Sequence, residues 1–328
     1  MPILFNPNKK KGVFMIPSGG TQAISCAFSY SAASYTDADP DPTPTVTGTS
    51  GGTFTSTAGI VINADTGEID LSASTLNTYV VTYTVGAKAC TQSVEITASF
   101  SNTKSLAFDG VDDYVDCGND SSLQFSGSFS ISLWAKLDGS GSNALISKDS
   151  HGGAGNGYHI DFRSGSEVHA WAYKAVDKLT VTGLTTDTWY NIVFVFESTG
   201  GANGNQYLYI DGSEESNNSI TSFVASTTKD LRIGVSEMVV GFETDGNIDE
   251  VAIWDVALAS TEVTELYTNG PIALNTDTGN YTSSSDLQAW WRMGDKVTSF
   301  PTIPDQAGSN DGTATNMDIS DIETDVPT

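Results

Sequence analysis

Leu106 to Gly118 reads LAFDGVDDYVDCG, and Phe129 to Leu137 reads FSISLWAKL. The second run puts Phe129, Ile131 and Leu133 at period two, the spacing of side chains on one face of a β-strand. Working outward, GYHIDFRSGSEVHAWAYK reads as a hairpin turned at Ser164-Gly165. TWYNIVFVFE and NQYLYIDGSEE read as another strand pair, with Asn203, Gly204 and Asn205 in the connection. LRIGVSE and GNIDEVAIWDVAL close the series. Regular strands from about Asn102 onward predict a two-sheet jelly roll. One helix interrupts them. In STEVTELYTNGP, Ser260 suits an N-cap, Val263, Leu266 and Tyr267 share a face, Gly270 caps the C-terminus and Pro271 stops the helix. Its expected job is to cover a sheet edge.

The chain has 328 residues, enough for two or three cores, and its abundant Ser, Thr, Gly, Asn and Asp suit short strands joined by many turns. The fold class expected is all-β. Residues 1–20 read as an N-terminal attachment arm, with prolines at 2, 7 and 17, a Lys9–Lys11 cluster and a Gly19-Gly20 hinge. Residues 21–99 read as a small β-sandwich: Cys26, Phe28 and Tyr30 alternate, Asp65 to Gly67 makes a tight turn, and Gly86-Ala87 joins two further strands. Residues 100–328 form the jelly roll. Three cysteines make neither a disulfide framework nor a metal spacing. Cys26 and Cys90 could pair across the small sandwich, but buried free thiols are the expected state.

Forty acidic residues against 14 basic ones give a formal net charge of −26. That charge repels phosphates, so nucleic-acid binding is not expected. Most of the carboxylates are expected to be solvated turn residues. The N-terminus lacks the apolar core of a signal peptide, and no apolar run is long enough for a membrane span. Synthesis in a cytoplasm without ordinary export, and no membrane insertion, are the expectations.

LAFDGVDDYVDCG, FSISLWAKL, TWYNIVFVF, YLYIDG and GNIDEVAIWDVALASTEVTELYTNG, in that order, resemble the laminin G-like, concanavalin A-like lectin/glucanase superfamily over Lys104 to about Gly270. In that family an aromatic-rich strand and an Asn-Asp-Gly turn precede the FDG strand. Here AWWRMGD and DQAGSNDGTATN, within 286–317, follow the helix. The chain therefore looks circularly permuted, with exchange of the C-terminal segment between subunits as a second reading. GGTFTSTAGIVINADTGEIDLSAST and TYVVTYTV resemble immunoglobulin-like or cadherin-like spacer repeats.

The family often holds calcium between its FDG and IDE strands. Carried over, the resemblance implies Asp109 and Asp249 as side-chain ligands and Gly110 as a carbonyl ligand, and any such ion would be structural. Asp112, Asp113 and Asp116 crowd the same turn as Asp109. The alternative is that Asp109 and Asp249 only bond backbone amides. DADPDP places proline where an EF-hand needs glycine, so it is no calcium loop. The glucanase relatives carry a Glu-x-Asp-x-(x)-Glu strand. ETDGNIDE offers Glu243 and Asp245 but Asn247 and Ile248 where the third acid should stand, so no glycosidase activity is expected. His151, His159 and His169 are too scattered for a zinc set.

His169, Trp171 and Tyr173 share one face of VHAWAYK and could stack on a pyranose ring. Val168, Ala170 and Ala172 form the other face and are small for a core, so the aromatics are the expected buried set, with sugar stacking as the alternative. Of Trp290-Trp291, one faces the core and its neighbour faces away.

The ending WWRMGD…GTATNMDISDIETDVP is similar to endings of marine bacteriophage structural proteins. Together these features imply a non-enzymatic virion protein, a capsid decoration or head fibre, attached through its arm to capsid or other virion proteins. The alternative is a carbohydrate-binding adhesin on a phage tail fibre or a bacterial surface. Homo-oligomers are expected, because decorations and fibres sit on symmetric lattices.

Overall fold

The computed structural model describes residues 23–97, 99–138, 141–149, 156–163, 166–172, 177–236 and 241–328. The attachment arm, the Ser164-Gly165 turn, His151 and Tyr173 lie outside the described residues. Contacts divide the chain into two compact units, the first ending at Ser99 and the second running from Phe100 to Thr328.

The first unit contains β1 (Phe28–Ser29), β2 (Ser34–Thr36), β3 (Thr45–Val46), β4 (Thr53–Ser56), β5 (Val61–Ile62), β6 (Ile69–Asp70), β7 (Asn77–Val85) and β8 (Lys88–Thr97). β2, β8, β7 and β4 form its main sheet in that order, while β1 pairs with β3 and β5 with β6. Tyr79, Val81 and Tyr83 alternate inward along β7 and pack with Phe54, Ile69 and Leu71. Gly67 takes the positive φ (76°) that its tight turn requires. One expectation fails here. Cys26 and Cys90 are joined in a disulfide, because the chain brings their Cα atoms to 5.4 Å, inside the range that a bridge spans.

The second unit contains β9 (Ser105–Asp109), β10 (Tyr114–Asp116), β11 (Phe129–Leu137), β12 (Ser142–Asp149), β13 (Gly157–Arg163), β14 (Glu167–Ala172), β15 (Leu179–Thr182), β16 (Tyr190–Gly200) and β17 (Asn203–Ile210). It continues with β18 (Ser213–Ile220), β19 (Arg232–Ile233), β20 (Asp245–Trp254), α1 (Ser260–Thr268), β21 (Leu287–Trp291), β22 (Met293–Lys296), β23 (Thr302–Ile303), β24 (Gly312–Thr315) and β25 (Ile322–Glu323). Sheet I runs β15-β14-β13-β12-β19-β10-β24-β23. Sheet II runs β18-β17-β16-β11-β20-β9-β25, and β21 also pairs with β20. This is the expected all-β jelly roll. Phe129, Ile131 and Leu133 from sheet II meet Ile160, Phe162 and Val168 from sheet I in one buried core.

The C-terminal segment joins both sheets within the same chain. Trp290 and Trp291 pair with Ala252 and Val251 of β20, and Thr313 to Thr315 pair with β10. Trp291 enters the core between the sheets, whereas Trp290 joins the cluster on the outer face of sheet II. That outer cluster is also where α1 lies. Val263 and Leu266 pack with Val193, Val195, Ala252 and Trp254, so the helix covers a sheet face and not an edge. The residue before the helix, Ala259, is its N-cap in place of Ser260, and Glu262 Oε2 accepts the Ala259 N–H at 2.9 Å. Tyr267 stays 40% exposed. Asn203 to Asn205 belong to β17, and the turn before them is made at 201–202. Among the described residues no helix is long and apolar enough to cross a membrane.

Candidate functional site

β9 ends at Asp109, and Gly110 turns the chain with φ 74°. A side chain at Gly110 would press on Asp245, its Cβ only 2.9 Å from that residue's Cβ. In this turn Asp109 Oδ1 accepts the Val111 N–H at 2.8 Å, and Asp113 Oδ2 accepts the Asp109 N–H at 3.0 Å. Carboxylate oxygens of Asp109, Asp112 and Asp113 lie within 4.8 Å of one another. Burial pushes the Asp113 carboxyl up to about 6, the Asp109 amide opposes it, and the charges of Asp109, Asp321 and Asp112 add to the rise. Among the described residues no cationic side chain pairs with the three. Three hard oxygen donors with no counterion suit a calcium ion.

Asp249 is not part of that set. β9 runs antiparallel to β20 and pairs Asp109 with Asp245, leaving Asp249 four residues further along the strand, about 13 Å away. Asp249 is buried, and its carboxylate accepts from Asn102 Nδ2 at 2.7 Å and the Glu250 amide at 2.8 Å. The expected Asp109–Asp249 pair is therefore separated by strand register. Asp249's neighbour Glu250 instead anchors the C-terminal strand. Glu250 accepts from Trp290 Nε1 at 2.6 Å and from Arg292 Nε at 2.9 Å. The Arg292 guanidinium lies over Phe100, 4.2 Å from the ring centre.

On β14 the faces are the reverse of what small side chains suggested. Val168, Ala170 and Ala172 enter the core between the sheets, opposite bulky rings that supply the volume. His169 and Trp171 point outward yet are only 3% and 2% exposed. Trp171 stacks on the His159 ring at 4.3 Å, so the ring face expected to receive a sugar is occupied by imidazole. His159 stands 3.7 Å from Asp149 and 3.3 Å from Asp161. Asp161 also receives Arg163 through both oxygens at 2.8 and 2.6 Å, and it lies 3.2 Å from His169. Burial works against a charged imidazole, but the two carboxylates outweigh it and hold His159 up to about 9.

The same outer face continues across sheet I. Register carries it from Trp171 to His159, Ser147, Arg232, Asp116 and Thr313. It ends in an open polar groove of about 650 Å³. Asp116, Asn119, Asp120, Asp311, Thr313 and Thr315 line the groove with carboxylates, an amide and hydroxyls. Beside it, Arg232 lies over the Tyr114 ring at 4.9 Å, and its buried Nε makes no hydrogen bond.

Residues 108–264 match the family model of the concanavalin A-like lectin/glucanases superfamily, laminin G type. Over those residues the second unit is similar to laminin G-like domains. A candidate carbohydrate-binding protein from Bacteroides ovatus superposes with a TM-score of 0.54 at 13% identity, over 92% of this chain and 98% of its own. A heptameric pentraxin from Limulus polyphemus is similar with a TM-score of 0.39 at 13% identity, over 65% of this chain and 95% of its own. The sialyllactose-bound carbohydrate-binding module of a Ruminococcus gnavus sialidase gives 0.39 at 11% identity, over 51% of this chain and 100% of its own. No curated protein matches the sequence.

Within the matched residues, Asn247 occupies the position of the missing third acid and donates to Glu323 Oε2 at 3.0 Å and Ser105 Oγ at 3.2 Å. Sequence reading weighed His159 only as a zinc ligand and passed over Asp161 and Arg163, although a signal was present. In GYHIDFR they alternate with Tyr158, Ile160 and Phe162, which leaves one strand face entirely charged. Arg232 and Thr313 gave no such signal, because only the sheet order brings them to Asp116.

Proposed function

We propose that this chain is a non-enzymatic recognition protein whose laminin G-like domain holds carbohydrate, displayed on a bacteriophage virion as a capsid decoration or head fibre. The observation that carries the reading is the polar groove at β10 and β24. Its carboxylates, amide and hydroxyls offer both acceptors and donors to the hydroxyls of a glycan. The lectin-like fold and the superposition on the Bacteroides ovatus protein along nearly both full chains support it. A glycan array with the wild type and the Asp116→Ala variant is the test. Binding by the wild type that the variant loses is expected, and a wild type that binds nothing sinks the carbohydrate reading.

In this reading residues 1–20 attach the protein to capsid or other virion proteins, and the first unit is an Ig-like spacer. Circular permutation moves the opening strand of the jelly roll to 286–317, which leaves the N-terminal side to carry spacer and arm. The Cys26–Cys90 disulfide suits a protein that works outside a cell, since such bridges persist in oxidising surroundings. Calcium bound by Asp109, Asp112 and Asp113 is structural and stiffens the turn between β9 and β10. On a symmetric lattice the chain assembles as a homo-oligomer. Display on a bacterial surface is the second reading, favoured by the bacterial origin of the superposed protein. Immunogold microscopy of an infected culture separates them: label on particles supports the virion, and label confined to cell envelopes overturns it.

A further inference from the structure

At the side of the second unit, the edge strand β15 of sheet I comes near the edge strand β18 of sheet II, and a hollow of about 300 Å³ opens there. Five strand spacings separate β15 from β10 in sheet I, so the hollow lies about 24 Å across the sheet from the polar groove. Leu184 and Ile210 make an apolar floor, and the half-buried Tyr190 ring forms a wall. The ring is held in place, because Tyr190 Oη accepts the Thr185 N–H at 3.1 Å. On the rim, Asp211 is fixed to the backbone: it sits in a left-handed turn (φ 50°), and its Oδ1 accepts the Asn191 N–H at 2.9 Å. Its other oxygen accepts nothing among the described residues. Glu215 and Thr182 complete the rim, and among the described residues no lysine or arginine lines the hollow.

We infer that this hollow is a second carbohydrate site, taking a single uncharged hexopyranose. The inference rests on the carbohydrate reading of the domain. A pyranose has an apolar C–H face and a rim of hydroxyls, which match an aromatic wall, an apolar floor and outward carboxylate acceptors. Two carboxylates without a cation repel sialic and uronic acids, so the hollow selects against anionic sugars.

The test is saturation-transfer NMR and titration calorimetry of the full chain with glucose, galactose, mannose and N-acetylglucosamine, and with sialic acid as the anionic control. At least one neutral sugar is expected to bind, and sialic acid is not. Tyr190→Ala should weaken binding at least about tenfold, while Tyr190→Phe, which keeps the ring, should retain it. Glu215→Gln changes an exposed rim residue without touching the floor, and it should weaken binding several-fold even if Tyr190→Ala unfolds. Asp116→Ala, which disables the distant groove, should leave the hollow's signal in place. Neutral-sugar binding lost in Asp116→Ala and untouched by Tyr190→Ala and Glu215→Gln overturns the hollow while the groove reading stands. Failure of every sugar on this panel overturns the hollow, and the separate glycan array then decides the groove.

Discussion

His159 is held as an imidazolium by Asp149 and Asp161, against the cost of burial. Its ordinary value in an unfolded chain is about 6.5. A group raised from there to about 9 contributes stability that is complete below about pH 6.5 and lost as pH rises through about 9. Calorimetry should therefore show the melting temperature of the second unit falling between pH 7 and pH 9.5. His159→Gln should melt lower at pH 7 and flatten the profile over that range, and a flat wild-type profile would contradict the assignment. Asp113 has the opposite sign. Its carboxyl is raised to about 6, so ionising it destabilises the calcium-free turn as pH climbs from about 4 through 6, and a bound cation offsets that loss. Calcium at about 100 times its dissociation constant should add about 2.7 kcal/mol, or roughly 5–10 °C in a unit of this size. The rise should shrink at pH 5 and vanish in Asp113→Asn. Equal melting temperatures with calcium and with a chelator at pH 7.5 would remove the ion from the account.

At the scale of elements, the C-terminal strands bind the second unit together. Trp291 is fully buried between the sheets, and its Nε1 donates to the Asn310 carbonyl at 2.7 Å. Trp291→Ala should cost about 3–5 kcal/mol, read from chemical denaturation. Ending the chain at Thr282 removes the strand beside β20 and both strands beyond β10, so the larger unfolding transition should disappear. If it persists unchanged, AWWRMGD is not part of the core. The strands themselves were legible, because Phe129, Ile131 and Leu133 announce their face by period alone. Register was not legible. Periodicity says which face a residue takes, but only pairing decides that Asp109 meets Asp245 and not Asp249. Volume was not legible either: Val168, Ala170 and Ala172 are small because the opposite sheet supplies Phe129, Phe194 and Phe196.

At the scale of the molecule, the two units have separate cores and different covalent chemistry. The first closes its sheet with Cys26–Cys90, 64 residues apart, and the second holds Cys117 as a buried free thiol. Closing a loop of that length restricts the unfolded chain enough to stabilise the first unit by about 4 kcal/mol. In a unit of this size such a term moves the midpoint by roughly 15–30 °C. Cys117 makes no bridge, so reduction leaves the second unit's own balance untouched. Differential scanning calorimetry with and without a thiol reductant should therefore show one transition dropping steeply and the other staying in place. The stationary transition should be the one that responds to calcium and to His159→Gln. If reductant moved both together, the units would unfold as one cooperative block, and a spacer carrying an independent outer domain would be the wrong description of the chain.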